Sequence, residues 1–298
     1  MKKPNQIIVV VGPTASGKSD FGVNLALGKV TSSGTRSFPP INGEIISADS
    51  CQIYRGLDIG TGKITEEEKK GVPHHMIDIC DINESFSVAN FKAKALPILE
   101  DILARGKTPI IVGGTGQYID ALIYENTPPK VPPNNVLRKE LELLSKEELY
   151  SRLLKADPRR ASEIDKHNKV RLVRALEIVE SLGKVPVQGE EKLRYETKFY
   201  LMNPTKEILE ERVHKRLLKR FDMGMIQEME SLIAQGYDIG VLASKGIEYK
   251  HMAKYLEKIY TYAELVEHLR IATWQYAKRQ RTWNKKYSAF AELVDVVE

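Results

Sequence analysis

The eight residues Gly12, Pro13, Thr14, Ala15, Ser16, Gly17, Lys18 and Ser19 constrain this chain more than any other feature. They follow an apolar run at residues 7–11 and lead into a helix-like stretch at 20–27. A strand, a glycine-rich turn and a helix start make a phosphate cradle. Backbone N–H groups and the helix N-terminus face phosphate oxygens, Lys18 neutralises charge, and the Ser19 hydroxyl reaches Mg²⁺. A glycine-rich turn that only caps a helix is the plain alternative, but the flanking strand and helix are the context the phosphate-binding motif demands. The pattern does not say which phosphate-bearing molecule is held.

The chain's 298 residues suffice for one large domain or two of ordinary size. A hydrophobic fraction of 42% and a charged fraction of 29% fit a soluble globular protein. No apolar run approaches the roughly 20 residues that span a bilayer, so membrane embedding is excluded. Residues 1–6 are short and polar and lack the apolar region of a secretory signal, so a cytoplasmic location is expected. Cys51 and Cys80 are the only cysteines, too few for a disulfide framework or a thiolate zinc site, and read as reduced thiols.

The net charge of +5 is modest, but its distribution is telling. No acidic residue occurs from 269 to 291, whereas Arg270, Lys278, Arg279, Arg281, Lys285 and Lys286 all do. Such a cluster suits a polyanion, and a solvated helix face suits it equally well. Trp274, Tyr276, Trp283 and Tyr287 interleave with these charges; they can stack on bases or pack into a core.

Strand signals at 7–11, 44–48 and 109–112 alternate with helix signals at 20–29 and 88–105, the pattern of a parallel sheet with crossover helices. A Ser-, Gly- and Pro-rich segment at 31–42 reads as a surface loop with no assigned chemistry. The proline-dense stretch 127–133 breaks the alternation. Amphipathic helical stretches follow at 135–144, 146–156 and 169–181, with little strand signal until a further strand at 198–202 and a long helix from about 206. The expected fold is therefore α/β: a P-loop NTPase-like core with a parallel sheet and flanking helices, in segments 1–127 and 197–298, interrupted by an all-helical insertion domain at 128–196.

The strand at 44–48 ends in Asp49, Ser50, Cys51 and Gln52. Ligands of open α/β sheets bind beyond the carboxyl ends of the strands, which puts Asp49 beside the cradle. Its carboxylate can accept a proton from an attacking nucleophile; capping a turn or ordering Mg²⁺ through water are the alternatives. The strand at 109–112 ends in Gly113, Gly114, Thr115 and Gly116. Small residues let a ligand approach the backbone, and the Thr115 hydroxyl can bond an oxygen, although a structural turn is as good a reading.

The segments 49–52, 54–63, 74–79 (His-His-Met-Ile-Asp-Ile), 112–118, 171–177 and 277–283 (Ala-Lys-Arg-Gln-Arg-Thr-Trp) together closely resemble the bacterial tRNA dimethylallyltransferase, or isopentenyl-diphosphate:tRNA transferase, family. The resemblance covers nearly the whole chain in the right order. It implies transfer of a dimethylallyl group from dimethylallyl diphosphate to the exocyclic amine of an adenosine beside the anticodon of tRNA, with diphosphate released. It further implies that residues 14–19 hold the donor diphosphate with Mg²⁺ on Ser19, that Asp49 is the general base, and that Thr115 lies near the bridging oxygen. Arg216 matches the family's diphosphate-side arginine better than Arg212 does. Asp49, Ser50, Cys51 and Gln52, with Val170, Arg171, Leu172, Val173 and Arg174, are placed against the tRNA, and Arg138 is a further candidate. The segment holding His74, His75 and Asp78 is structural in the family, and a His-His pair without further ligands is weak as a metal site.

The chemistry implied is coherent. Loss of diphosphate from an allylic carbon builds negative charge on the leaving oxygens, which Lys18, Arg216, Thr115, backbone amides and Mg²⁺ would stabilise. The target base must leave its stack, so a stacking or apolar element that fills the gap is expected. The chain departs from the family pattern at Cys51, where a larger apolar residue is frequent, and at Glu248 within Ile247-Glu248-Tyr249-Lys250, where the usual run is Ile-Gly-Tyr-Lys. Those departures touch details of tRNA contact and local packing. A small-molecule or nucleoside kinase, with ATP in the cradle and Asp49 facing an acceptor hydroxyl, is the alternative enzyme, and a non-catalytic tRNA-binding module the alternative of another class. The working unit is expected to be a monomer.

Overall fold

The computed structural model describes residues 6–29, 41–125, 129, 131–187, 189 and 191–294. Apart from its last two residues, the Ser-, Gly- and Pro-rich segment at 31–42 lies outside the described residues, as do residues 1–5 and part of the proline-dense break. The chain forms two compact units, one of Met1–Glu125 with Leu193–Glu298 and one of Asn126–Lys192.

The first unit is built on β1 (Gln6–Val11), α1 (Lys18–Leu27), β2 (Gly43–Ala48), α2 (Glu66–Lys69), β3 (His74–His75), α3 (Val88–Ala104), β4 (Thr108–Gly113) and α4 (Gly116–Ile123). After the second unit, with α5 (Asn135–Glu142), α6 (Lys146–Ala156), α7 (Pro158–Glu163) and α8 (Lys169–Leu182), it resumes at β5 (Glu196–Met202). It continues with α9 (Lys206–Asp222), α10 (Met225–Ala234), α11 (Ile239–Ala243), α12 (Ile247–Leu256), α13 (Tyr262–Asn284) and β6 (Glu292–Val294).

The sheet runs β3-β2-β4-β1-β5-β6, and each neighbouring pair is parallel. Side chains of a strand alternate between faces, and a parallel sheet covered on both sides needs apolar residues at every position. The run Ile-Ile-Val-Val-Val meets this need. Ile7, Val9 and Val11 pack with Phe91 and Leu99 of α3 and Leu122 of α4, while Ile8 and Val10 pack on the opposite face with Phe21 and Leu25 of α1. Each such side chain, removed from water, stabilises the fold by about 1.5–3 kcal/mol. A third cluster joins Ile53 and Leu57 to Leu217, Met229, Tyr249 and Leu269 of the later helices.

Two strands escape a reading of the sequence. β3 is only two residues long, and β6 adds a three-residue parallel edge strand after the last long helix.

The register fixes where the site falls. Val11 pairs with Gly113 on one side of β4, and Ala48 pairs with the same Gly113 on the other. The three strands therefore end in one row. Gly12, Asp49 and Gly114 leave the sheet side by side, so the turns that follow β1, β2 and β4 meet at its carboxyl edge.

Candidate active site

The turn from Gly12 to Gly17 is held in a conformation that side chains resist. Ala15 has φ +62° and Gly17 φ +85°, both left-handed, and such a conformation costs a residue with a Cβ about 1–2 kcal/mol. Gly17 is the N-cap of α1 and offers no side-chain acceptor to the first-turn amides, which suits that end to an anion. The Ser16 amide closes the turn onto the Pro13 carbonyl (3.2 Å). Ser16 is fully buried and its hydroxyl has no hydrogen-bond partner. Its side chain is therefore part of the turn's interior, and what Ser16 offers outward is backbone.

Two cations converge here. The Lys18 ammonium donates to the Pro13 carbonyl (3.2 Å). Burial, reinforced by the Arg216 charge and opposed by Asp49, pushes its pKa down to about 8. Arg216 on α9 donates to the Thr14 hydroxyl (3.1 Å) and to the Gly62 carbonyl (3.1 Å). Burial and then the neighbouring Arg220 also lower its pKa. Like charges in a water-poor recess disfavour each other, and an anion between them removes the conflict. Ser19 stands exposed in the first turn of α1.

Asp49 follows β2, and its Oδ1 accepts the amides of Cys51 (2.8 Å) and Gln52 (3.3 Å). The turn thus uses one oxygen of the carboxylate, Oδ1. Thr115 caps α4 without a side-chain bond to that helix; its hydroxyl accepts the Ser50 amide (3.2 Å) and lies 3.3 Å from the Ser50 hydroxyl. Cys51 is half-buried, and burial, with Asp49 and Glu248 behind it, pushes its thiol pKa up. A neutral thiol is a poor nucleophile. Gln52 donates to the Gly62 carbonyl (3.2 Å), tying the turn to the loop that Arg216 also holds.

That loop, 55–63, has its own anchors, which sequence reasoning missed. Glu228 accepts the amides of Asp58, Ile59 and Gly60 at 2.6–2.9 Å and the Tyr249 hydroxyl at 2.6 Å. Arg220, one helical turn beyond Arg216, donates to the Gly60 carbonyl (2.7 Å) and pairs with Glu248 (3.0 Å). The departure at Glu248 is therefore a half-buried counter-ion for the buried Arg220. His74 and His75 serve the sheet edge: His75 bonds Glu44 (2.8 Å) and His74 the Val72 carbonyl (2.8 Å). Among the described residues no three His, Cys, Asp or Glu side chains gather to hold a metal.

In the helical unit, Glu177 is buried and accepts the Asn134 amide (2.6 Å), Arg138 (2.8 and 2.9 Å) and Arg174. Burial alone would raise its pKa, but these donors, Arg138 foremost, outweigh it and hold it at about 2. The two arginines are thereby fixed in orientation. Val170 and Arg171 are exposed. Leu172 and Val173 are not: they pack with Leu149 and Leu153 in the unit's own core. This corrects their expected placement against tRNA, because α8 turns those two positions inward.

On α13, Lys278 and Arg279 are exposed and Arg281 is half-buried. Lys278 lies over Trp274 and Arg279 over Tyr276. Arg270 is paired with Glu267, and Lys286 with Asp120. Trp283 and Tyr287 pack against the core of the α/β unit, which removes Tyr287 from any stacking surface.

Known proteins resemble this chain over nearly its whole length. The IPP transferase family model matches residues 52–287. A tRNA dimethylallyltransferase of Exiguobacterium sp. is 40% identical over 94% of this chain and 88% of its own length. The full-length tRNA isopentenylpyrophosphate transferase of Bacillus halodurans aligns with TM-score 0.69 and 36% identity, covering 99% of this chain and 91% of the other. A eukaryotic dimethylallyltransferase acting on tRNA aligns with TM-score 0.81 and 27% identity, covering 98% and 74%. With its sheet, its cradle and almost its entire length accounted for by these relatives, the chain belongs to the IPP transferase family of tRNA dimethylallyltransferases.

Proposed function

We propose that the protein transfers a dimethylallyl group from dimethylallyl diphosphate to the exocyclic amine of the adenosine 3′-adjacent to the anticodon in tRNA, releasing diphosphate. The observation that carries this reading is the meeting of Lys18, Arg216, Thr115 and Asp49 at one sheet edge. The names and coverage of the relatives support tRNA as the acceptor, and a kinase reading is not favoured by them.

The allylic C–O bond breaks and a C–N bond forms. Negative charge moves onto the diphosphate, where Lys18 and Arg216 are already fixed, and the Thr115 hydroxyl donates to the bridging oxygen as it leaves. The amine's proton goes to Oδ2 of Asp49 as nitrogen attacks. A neutral acceptor and an anionic leaving group thus face opposite ends of the same site. The residues fit Mg²⁺, which favours oxygen donors and completes its shell with phosphates and water. The exposed Ser19 hydroxyl would hold it beside the donor, where the ion supplies further positive charge to the leaving diphosphate.

The reading is tested by incubating the protein with tRNA, dimethylallyl diphosphate and Mg²⁺ without any nucleotide. One prenylated adenosine per diphosphate released is expected, by mass spectrometry of digested tRNA. A strict need for ATP, with ADP formed in proportion to product, would overturn it.

Within the α/β unit, Lys278, Arg279 and Arg281 on α13 are the candidates for tRNA phosphates; the helical unit, taken by itself, offers Arg138, Arg171 and Arg174. Changing Lys278, Arg279 and Arg281 together to Gln is expected to reduce the slope of log affinity against log salt by about 2–3, near one for each phosphate no longer neutralised. Filter binding at several salt concentrations measures it. A slope equal to that of the unmodified protein would make the cluster a solvated helix face.

A further inference from the structure

α13 presents basic residues outward, yet one of its side chains reaches the centre of the site. Tyr276, Gln280 and Trp283 are spaced four and three residues apart and so share a helix face. Gln280, only 5% exposed, spends both ends of its amide on the active-site turns. Its Oε1 accepts the Thr14 amide at 2.7 Å, and its Nε2 donates to the Gly114 carbonyl at 3.0 Å. Thr14 belongs to the cradle, and Gly114 immediately precedes Thr115. A Cβ at Gly114 would collide with the Gln280 amide, so glycine is needed there for the bridge to form.

We propose that Gln280 is a positioning residue that locks the diphosphate cradle to the Thr115 turn, so that the anion's cations and the donor to its leaving oxygen hold a fixed spacing. This rests on the functional reading above. β1 and β4 end side by side, and their pairing stops at Val11 and Gly113. Beyond that point the Gln280 amide joins the two turns. Thr14 is then held twice, at its amide by Gln280 and at its hydroxyl by Arg216 (3.1 Å). Electrostatic stabilisation of a departing anion depends on donors that need no rearrangement as charge develops. Truncating Gln280 leaves a buried amide and a buried carbonyl without partners, and both turns must shift to find new ones. Charge at residue 280 is not needed. A neutral amide can satisfy an N–H and a C=O together, which Glu or Lys cannot.

The test compares the full-length protein with Gln280→Met, which keeps the volume and loses both bonds, and with Gly114→Ala, which displaces the amide from the other side. Affinity for inorganic diphosphate is measured by calorimetry, the single-turnover rate at saturating donor by rapid quench, and tRNA affinity by filter binding. Both variants are expected to bind diphosphate about tenfold more weakly and to lose a further tenfold in the single-turnover rate, with tRNA affinity within about twofold, as for a lost buried hydrogen bond at each turn. Diphosphate affinity does not depend on the fraction of folded protein, so a merely structural role would lower the amplitude and leave the constant unchanged. Wild-type constants in both variants, or a loss confined to melting temperature, would overturn the positioning role. Failure of the unmodified protein to bind diphosphate or prenylate tRNA would instead overturn the reading on which it rests.

Discussion

Asp49→Asn is expected to lower the single-turnover rate of prenyl transfer by about 10²–10⁴-fold, the usual contribution of a positioned general base, and to leave tRNA affinity within a few-fold. The choice of Asn separates two roles that one carboxylate can play. Oδ1 of Asp49 holds the amides of Cys51 and Gln52, and an Asn carbonyl oxygen can accept both bonds in the same place. The turn therefore survives the substitution. What disappears is a group able to take a proton from the amine. An aromatic amine is a weak nucleophile, and its nitrogen becomes acidic only as the new bond forms, so the loss falls on the transition state and not on substrate binding. Rapid-quench measurement with enzyme in excess over tRNA checks this. A rate within threefold of the unmodified enzyme would show that Asp49 only caps its turn.

Much of this site is legible in the sequence because short-range patterns carry it. A strand, the run from Gly12 to Ser19, and a helix are contiguous, and their geometry follows from glycine placement and helix polarity. Asp49 and Thr115 are legible for another reason: each closely follows a strand, and parallel strands deliver their ends to one edge. Gln280 is hidden by distance, since it bonds Thr14 across 266 positions. Only its neighbours in the segment 277–283 draw the eye, and they do so by charge. Glu228 and Arg220 are hidden likewise, because their partners are backbone groups of the 55–63 loop, which have no sequence signature. Leu172 and Val173 teach the opposite lesson. Their inward orientation follows from the 3.6-residue period that also buries Ala175 and Leu176, and reading the segment 170–174 as one block overlooks it. β3 and β6 are too short to show a pattern of their own; pairing with β2 and β5 makes them strands.

Lys18→Ala is expected to lower kcat/KM for the donor by about 10²–10³-fold, the scale for removing one fixed group that meets developing negative charge, while making the ligand-free protein more stable. The two effects have one origin. Burial and the Arg216 charge lower the pKa of Lys18 in the folded protein to about 8, from 10.5 for the free side chain. Below pH 8 the ammonium is charged in both states and the fold bears its desolvation. Between about pH 8 and 10.5 the unfolded chain holds the proton and the native chain does not, so stability rises with pH across that window as the penalty is relieved. The substitution removes the penalty at neutral pH, and melting should rise by about 2–4 °C for each kcal/mol recovered. Donor binding has the opposite dependence. The diphosphate favours charged Lys18, so affinity should fall as pH rises through about 8, and binding above that pH should draw a proton from solution that the Ala variant does not take up. Calorimetry of donor binding in buffers of different ionisation enthalpy reads this uptake directly. Equal proton uptake by the two proteins, or an unchanged donor affinity in the variant, would take Lys18 out of the cradle and leave Arg216 as its sole fixed cation.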